Sequence, residues 1–153
     1  MSSFVARGGL WVIAQTLLTV AALGAGPLLA ADAWPRLWRI LGITILACGA
    51  YFGIAGVMAL GTSRTVYPRP LPGAQLIRTG VYRRVRHPLY TSLMLVTAGW
   101  GLCWSSPWAL VGCGALSAML VAKATAEEGW LRQKYPGYAE YAAEVPRFFP
   151  LIR

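Results

Sequence analysis

Four runs without a charged side chain divide the chain into apolar and polar segments. The first two runs, 10–31 and 40–61, contain 22 residues each. At about 1.5 Å per residue, a helix of this length covers the ~30 Å hydrocarbon core of a membrane. The pattern therefore predicts two transmembrane helices, joined by a short loop at 33–39.

The other two uncharged runs, 88–104 and 107–122, span about 25 Å each as helices, which is marginal for a full crossing. Ser105 and Ser106 join them, and Pro107 suits the first position of a helix with Ser106 as its cap. We expect a tight hairpin that either crosses a thin membrane or extends its second helix past it. The prediction is an all-α integral membrane protein with about four transmembrane helices.

Two polar segments follow the second and fourth runs. Residues 62–87 contain no acid, and their prolines forbid a long helix, so a loop on one membrane face is predicted. After residue 122 the helix becomes polar, and a turn at 135–138, a short helix at 138–144 and an extended tail at 145–150 follow. The basic residues and prolines of the loop are Arg64, Arg69, Arg78, Arg83, Arg84, Arg86, Pro68, Pro70 and Pro72.

Gly49 and Gly53 form a GxxxG pattern in the second run, and Gly56 continues it. Small residues at this spacing let the backbone of another helix approach closely. Glycine is also frequent in membrane helices generally, so both interpretations stay open.

The composition agrees with a membrane protein. Hydrophobic residues make up 57% of the chain and charged residues 12%, whereas soluble domains carry roughly a quarter charged residues. The basic residues that give the net charge of +9 lie between the apolar runs, where membrane proteins usually place them. This position argues against nucleic acid as a partner. The three cysteines show no CxxC spacing and the chain has one histidine, so no metal site is predicted.

Four crossings bring the amino terminus and both polar segments to one side of the membrane. That side carries 12 of the 14 basic residues, whereas Arg36 and Arg39 lie on the other side. The positive-inside rule then predicts cytoplasmic termini, in the inner membrane of a bacterium. The first run is long for a signal peptide and is interpreted as a retained span.

The stretch from Gly80 to Tyr90 joins the basic loop to the third apolar run and contains the only histidine. Pro88 suits the first helical position and His87 the cap before it. The helix start would then direct free N–H groups and a positive dipole end at Arg86 and His87, which suits an anion. The alternative is a basic loop that touches lipid headgroups.

The same face is predicted to hold two adjacent acids, Glu127 and Glu128, and five tyrosines. An adenosyl amino acid cofactor needs a cation for its carboxylate, a carboxylate for its ammonium, and aromatic faces for adenine and sulfonium. The sequence contains no phosphate-binding loop and no GxGxxG motif, so ordinary nucleotide motifs are absent. The tyrosines are Tyr82, Tyr90, Tyr135, Tyr138 and Tyr141.

Three groups of residues form a recognisable pattern: Leu76, Thr79 to Arg83 and Val85 to Tyr90; Glu127, Glu128 and Leu131; and Tyr138, Tyr141, Val145 to Phe148 and Pro150. The pattern resembles that of the isoprenylcysteine carboxyl methyltransferase family and the related phospholipid methyltransferases. The resemblance implies a membrane enzyme that moves a methyl group from S-adenosylmethionine to a lipid-like acceptor and releases S-adenosylhomocysteine. It implies a single domain, 1–153, with two generic helices at 1–61 and a cofactor-binding region at 62–153.

The resemblance also implies a cofactor pocket that opens to the cytosol and an acceptor that enters from the bilayer. Lys123 and Glu128 would serve the acceptor; the isoprenylcysteine enzymes have an arginine at the first position that helps to hold the acceptor carboxylate. The ammonium of lysine is a compact charge and cannot form the two parallel hydrogen bonds that arginine forms with a carboxylate. The identity of the acceptor therefore stays open. The cofactor-binding residues would be Gly80, Tyr82, His87, Pro88, Leu89, Tyr90, Glu127, Tyr138, Tyr141 and Arg147.

Simpler interpretations stay open for each residue. His87 could only cap the helix, the two glutamates could be solvated partners of Lys123 and Arg132 at i,i+4, and the tyrosines could form an interfacial belt. Two other functions also stay open for the whole chain: an NADPH-dependent sterol-type reductase, and a non-catalytic scaffold that uses its GxxxG face.

The implied reaction is an in-line attack of the acceptor on the sulfonium carbon, in which alignment supplies most of the catalysis. A carboxylate acceptor needs no base, whereas a thiol or amine needs one, and Glu128 is the nearest candidate. We expect an amphipathic acceptor with its tail between the helices, and Lys123 with its ammonium at the membrane interface. The oligomeric state stays open.

Overall fold

The structure of the chain, a computed structural model, describes residues 3–32, 34–61, 65, 67–69 and 73–150. Helices make up most of these residues, and none of them lies in a strand. Arg64, Pro70 and Pro72, which enter the predictions above, lie outside the described residues, as does Arg153, one of the 12 basic residues counted on one side of the membrane. The helices are α1 (Ser3–Ala6), α2 (Gly9–Leu28), α3 (Arg36–Leu60), α4 (Pro88–Cys103), α5 (Pro107–Lys134) and α6 (Tyr138–Glu144), with a 3-10 helix at Gly80–Arg83.

Three of the described helices, α2, α3 and α5, are long and apolar enough to cross a membrane, and the chain is an all-α integral membrane protein. Helix α4 has 16 residues and reaches about 24 Å, less than the ~30 Å core. The prediction of about four crossings is therefore corrected to three full-length spans and one shorter helix. Helix α5 continues through its polar half to Lys134. This agrees with the second predicted form of the hairpin, in which its second helix extends past the membrane.

Helices α3 and α4 pack closely because glycines remove the side chains between them. A Cβ at Gly49 would lie 2.9 Å from Cγ2 of Val96, and a Cβ at Gly42 would lie 2.8 Å from the carbonyl oxygen of Gly99. Real Cβ atoms do not approach other atoms so closely, so larger residues would force the helices apart. The GxxxG prediction is confirmed, and the helix that approaches it is α4 of the same chain.

At the end of the bundle where α3 begins, a tryptophan satisfies a carbonyl that a proline leaves free. Pro27 lies inside α2 and has no N–H to donate to the carbonyl of Leu23. The indole Nε1 of Trp100 donates to this carbonyl at 2.8 Å, which is a usual way for membrane helices to accommodate proline. Ser106 caps α5 as predicted, since its Oγ accepts from the backbone N–H of Ala109 at 3.2 Å.

At the opposite end of the bundle, both polar segments meet. Helices α2 and α4 begin there and α3 and α5 end there, so the chain before α4 lies beside the chain after α5. The carbonyls of Pro146 and Arg147 accept from the backbone N–H groups of Arg86 and His87 at 2.9 and 3.0 Å. The predicted convergence of the loop with the carboxyl-terminal segment is thus confirmed, and a cavity forms between them.

Candidate functional site

A cavity of about 390 Å³ lies at this end of the bundle, within the usual range for small-molecule sites. Its walls come from the start of α2, the end of α3, described residues between 65 and 87, the start of α4, the polar half of α5, and α6. Eight of the twelve predicted site residues line it: Tyr82, His87, Leu89, Tyr90, Lys123, Glu127, Tyr138 and Tyr141. The other four, Gly80, Pro88, Glu128 and Arg147, are not among the residues that line it.

Gly80 and Pro88, two of these four, shape the backbone. Gly80 has a φ of +59°, in the left-handed region that favours glycine, and it begins the 3-10 helix. Pro88 is the first residue of α4, as predicted, and His87 precedes it in the cap position. The His87 side chain forms no capping hydrogen bond, so its imidazole is free to contact α5.

Glu128, the third of these residues, lies at the centre of a buried ion cluster. It is 3% exposed, and its Oε1 lies 3.1 Å from Nε2 of His87 and 3.2 Å from Nη2 of Arg86. Arg147, the fourth, donates to both carboxylate oxygens through Nε and Nη2, at 3.0 and 2.9 Å. Because a carboxylate only accepts, Nε2 of His87 is the donor in this contact. Glu128 is therefore not a solvated partner of Arg132.

Glu127 points into the cavity, unlike its neighbour. Its Oε2 accepts from the hydroxyl of Tyr90 at 2.6 Å and lies 3.9 Å from Nδ1 of His87. The rings of His87 and Tyr90 stack at 5.2 Å between centroids, with 2° between their planes. His87 thus contacts one glutamate with each ring nitrogen and joins the ion cluster to the cavity wall.

Lys123 is buried, which differs from the prediction that its ammonium reaches the membrane interface. The residue is 2% exposed, its Nζ donates to Oε1 of Gln15 at 2.6 Å, and it lies 5.1 Å from the centroid of the Tyr90 ring. Helix α5 packs against α2 at this point, so the side chain extends between the helices and not along the outer surface.

Gln15 belongs to the site although no site residue was predicted in α2. Val12, Gln15 and Thr16 line the cavity, at the i, i+3, i+4 spacing of one helical face. The available signal was an amide inside a long uncharged run. Polar side chains in membrane helices usually face the interior of a bundle or a site.

The tyrosines of α6 face the cavity and do not form an interfacial belt. The ring centroids of Tyr138 and Tyr141 lie 5.9 Å apart, since residues three apart share one face of a helix. The hydroxyl of Tyr141 donates to the carbonyl of Tyr82 at 2.6 Å. Burial raises the pKa of the Tyr141 hydroxyl to about 12. Burial also raises the pKa of the Tyr82 and Tyr138 hydroxyls, so all three keep their protons at neutral pH.

The carboxyl-terminal tail binds the chain just before the start of α4. It accepts from the N–H groups of Arg86 and His87, as described above, and the carbonyl of Phe148 accepts from Oγ1 of Thr91 at 2.7 Å. The two amides that precede the helix are thus used within the chain.

Two buried polar atoms have no hydrogen-bond partner in the part of the chain that the structure describes. They are Nε of Arg86 and the hydroxyl oxygen of Tyr138, and both residues line the cavity. Buried polar groups normally have partners, but these two atoms lie within the wall and are not exposed to the cavity, so a ligand reaches them only when the two side chains move. In the described ranges, no three His, Cys, Asp or Glu side chains come together as a metal site.

These features define a helical membrane protein with a polar small-molecule cavity at one end of its bundle. A model of the family described as "Phospholipid methyltransferase" matches residues 37–137, and the chain belongs to this family, which includes the isoprenylcysteine carboxyl methyltransferase-like membrane enzymes. The resemblance inferred from the motifs is thereby confirmed. Membership supports a membrane methyltransferase that acts on lipid-like substrates.

Two relatives are named for resistance to metals. The chain is 26% identical over 158 aligned positions to the nickel-cobalt-cadmium resistance protein NccN of Alcaligenes xylosoxydans xylosoxydans. This alignment covers 99% of the chain and 69% of the relative. The chain is also 36% identical over 79 positions to the cobalt-zinc-cadmium resistance protein CzcN of Cupriavidus metallidurans. This alignment covers 50% of the chain and 36% of the relative.

Proposed function

We propose that the chain transfers a methyl group from S-adenosylmethionine to an amphipathic, lipid-like acceptor in the membrane. The observation that carries this proposal is that Arg86 and Tyr138, each with one buried donor that has no partner among the described residues, line the same cavity as Glu127. A ligand that carries both signs of charge fits this arrangement, because each of its charged groups finds a complementary side chain.

The residues fit S-adenosylmethionine group by group. Arg86 and Tyr138 would hold its carboxylate, Glu127 its cationic groups, and the aromatic faces of Tyr82 and Tyr141 its adenine. When bound, it supplies an electrophilic methyl group. S-Adenosylhomocysteine would bind the same residues as the product.

Glu128 is assigned a positioning role instead of the role of a base. Its contacts with His87, Arg86 and Arg147 fix the side chains behind the cavity, and it does not line the cavity itself. An ionised carboxylate acceptor loses no proton and needs no base. For a thiol or amine acceptor, Glu127 is the acid on the cavity wall that could accept the proton.

The acceptor is expected to be amphipathic. Apolar residues of three membrane helices, Val12, Leu60 and Leu89, form part of the cavity wall, and the helices around it present many apolar side chains outward. A polar head beside Lys123 and an apolar tail between helices fit such a wall.

The proposed location is the inner membrane of a bacterium with both termini in the cytoplasm. The cavity end carries most of the basic residues, whereas Arg36 and Arg39 begin the helix at the opposite end, as the positive-inside rule requires of a cytoplasmic cavity. Reporter fusions at the amino end and after Arg153 should both signal from the cytosol. A periplasmic signal from either fusion would contradict this orientation.

Cofactor titration of the purified protein in nanodiscs tests the reaction class. We expect S-adenosylhomocysteine to bind and NADPH not to bind, because the cavity provides groups for one amino acid and one adenosine. Labelled methyl transfer is then measured on prenylcysteine analogues, phosphatidylethanolamine, fatty acids, and short water-soluble thiols and acids. Binding of NADPH alone would favour the reductase alternative, and binding of neither compound the scaffold. Equal methylation of water-soluble and lipidic acceptors would contradict the amphipathic acceptor.

A further inference from the structure

One wall of the cavity is formed by a segment without regular secondary structure, residues 74–78, which we call the strap. Residues 74–77 of the strap line the cavity. In the part of the chain that the structure describes, no backbone group of the strap forms a hydrogen bond with the backbone of another residue. Segments with few backbone hydrogen bonds open at a low cost in free energy, so this wall can open without the unfolding of a helix.

Side chains at the turn between α5 and α6 hold the strap in place. The hydroxyl of Tyr135 donates to the carbonyl of Ala74 at 2.6 Å, and Nη2 of Arg78 donates to the carbonyl of Gly137. The guanidinium of Arg78 also lies 5.6 Å from the centroid of the Tyr141 ring. These contacts join both ends of the strap to the turn, and we call them the clasp.

Two glycines in the left-handed backbone region flank the strap. Gly73 precedes it with a φ of +75°, and Gly80 follows it with a φ of +59°. A Cβ at Gly73 would meet no atom within 4 Å, and a Cβ at Gly80 would meet only Cβ of Ala59, at 3.7 Å. Backbone conformation and not lack of space therefore explains glycine at these positions. Hinges of closing loops are a few such positions that absorb a change in φ and ψ.

The strap covers the part of the cavity in which Tyr138 is buried. Leu76 packs against the cluster of Tyr138, Tyr141 and Val145, and Tyr138 is 1% exposed. The hydroxyl of Tyr138, which has no partner among the described residues, becomes accessible only after the wall around it moves. Release of the strap would remove Leu76 from this cluster and leave the ion pairs of Glu128 in place, because they involve no residue of the strap.

We propose that the strap is a gate of the cavity, and that the clasp of Tyr135 and Arg78 determines how often the gate opens. A ligand enters and leaves while the strap is released, and the strap closes over it when the clasp forms again. The identity of the ligand, S-adenosylmethionine, rests on the proposed function, whereas the movement is a property of the chain alone. Because the clasp closes the cavity in the free and in the bound protein, a weaker clasp should raise the association and dissociation rates together.

Thiol labelling in nanodiscs measures the opening without a ligand. Leu131 lines the cavity and packs against the same cluster as Leu76. Leu131→Cys, in a chain whose three natural cysteines are replaced with alanine, therefore reports access past the strap. Tyr135→Phe removes one hydrogen bond of the clasp and should speed labelling by a water-soluble maleimide about fivefold. Gly137→Ala places a methyl group where Nη2 of Arg78 lies and should act in the same direction.

Each variant has a matched control outside the cavity. Tyr51→Phe removes the hydroxyl of an exposed tyrosine of α3, and Gly129→Ala adds a methyl group to α5 where it meets no atom within 4 Å. Both controls should be labelled at the wild-type rate. Stopped-flow fluorescence then follows S-adenosylhomocysteine in the same proteins without Leu131→Cys. With Tyr135→Phe, association and dissociation should both become about fivefold faster, with little change in the dissociation constant.

Two results would overturn the proposal. The first is labelling at the wild-type rate in both Tyr135→Phe and Gly137→Ala. The second is a Tyr135→Phe protein in which only the dissociation rate of S-adenosylhomocysteine rises, because the loss of a contact in a fixed wall has this effect. Failure of the proposed function gives a different pattern: faster labelling of the clasp variants, without S-adenosylhomocysteine binding in any of the proteins, would support the gate but contradict the methyl donor.

Discussion

Replacement of Glu128 with alanine is expected to lower the free energy of unfolding by about 3 kcal/mol. One carboxylate accepts from His87, Arg86 and Arg147, and its removal leaves three donors without their shared acceptor. Arg147 is partly exposed and can turn to water, but the side chains of Arg86 and His87 are 11% and 5% exposed. The loss should therefore come mainly from the two buried partners. Urea unfolding in detergent measures it.

Glu128→Gln and Glu140→Ala make the experiment specific. The amide in Glu128→Gln still accepts one hydrogen bond but loses the charge, so this variant should lie between the wild type and Glu128→Ala. Glu140 is an exposed acid of α6, and its replacement should change stability little. S-Adenosylhomocysteine binding should fall with Glu128→Ala, because Arg86 and His87 lose their orientation. Equal stability of Glu128→Ala and Glu140→Ala would refute the role of the ion cluster.

Helix positions were predictable because uncharged runs and helix starts have strong local signals. The second run and its glycines correspond to α3, and the Pro88 and Pro107 starts correspond to the first residues of α4 and α5. The convergence of His87 with the glutamates was predictable because two antiparallel helices return the chain to the side it left. These features depend on periodicity, length and capping, which neighbouring residues determine.

The different roles of Glu127 and Glu128 could not be predicted in the same way. Adjacent residues on a helix point about 100° apart, so one of the two had to face away from the ligand. Which one does so depends on where the tail brings Arg147. The tail is held by backbone hydrogen bonds to Arg86 and His87, and such bonds leave no pattern of residue types.

The burial of Lys123 and the role of Gln15 depend on the packing of α2 against α5. The amide of Gln15 indicates which side of the first run faces the interior of the bundle, but nothing in the run indicates which helix it meets there. A lysine at the end of an apolar run fits an exposed interfacial position equally well. Only the contact between helices more than a hundred residues apart in sequence distinguishes the two cases.

Replacement of Tyr138 with phenylalanine should separate ligand binding from stability. The Tyr138 hydroxyl is buried without a partner among the described residues, so its removal should leave the free energy of unfolding unchanged or slightly raised. If this hydroxyl bonds the carboxylate of S-adenosylmethionine, S-adenosylhomocysteine should bind about tenfold more weakly, which corresponds to about 1.4 kcal/mol. Calorimetry and urea unfolding on the same protein measure the two effects.

Tyr141→Phe is the matched control, because it removes the same atom from the neighbouring tyrosine of α6. The Tyr141 hydroxyl donates to the carbonyl of Tyr82 at 2.6 Å, so its loss should cost about 1 kcal/mol of stability. Relative to the wild type, Tyr138→Phe is thus expected to lose affinity for S-adenosylhomocysteine without losing stability, and Tyr141→Phe is expected to lose stability. A Tyr138→Phe protein that is destabilised but binds S-adenosylhomocysteine as tightly as the wild type would show that the hydroxyl serves the fold, and the assignment of Arg86 and Tyr138 to the methyl donor would then fail.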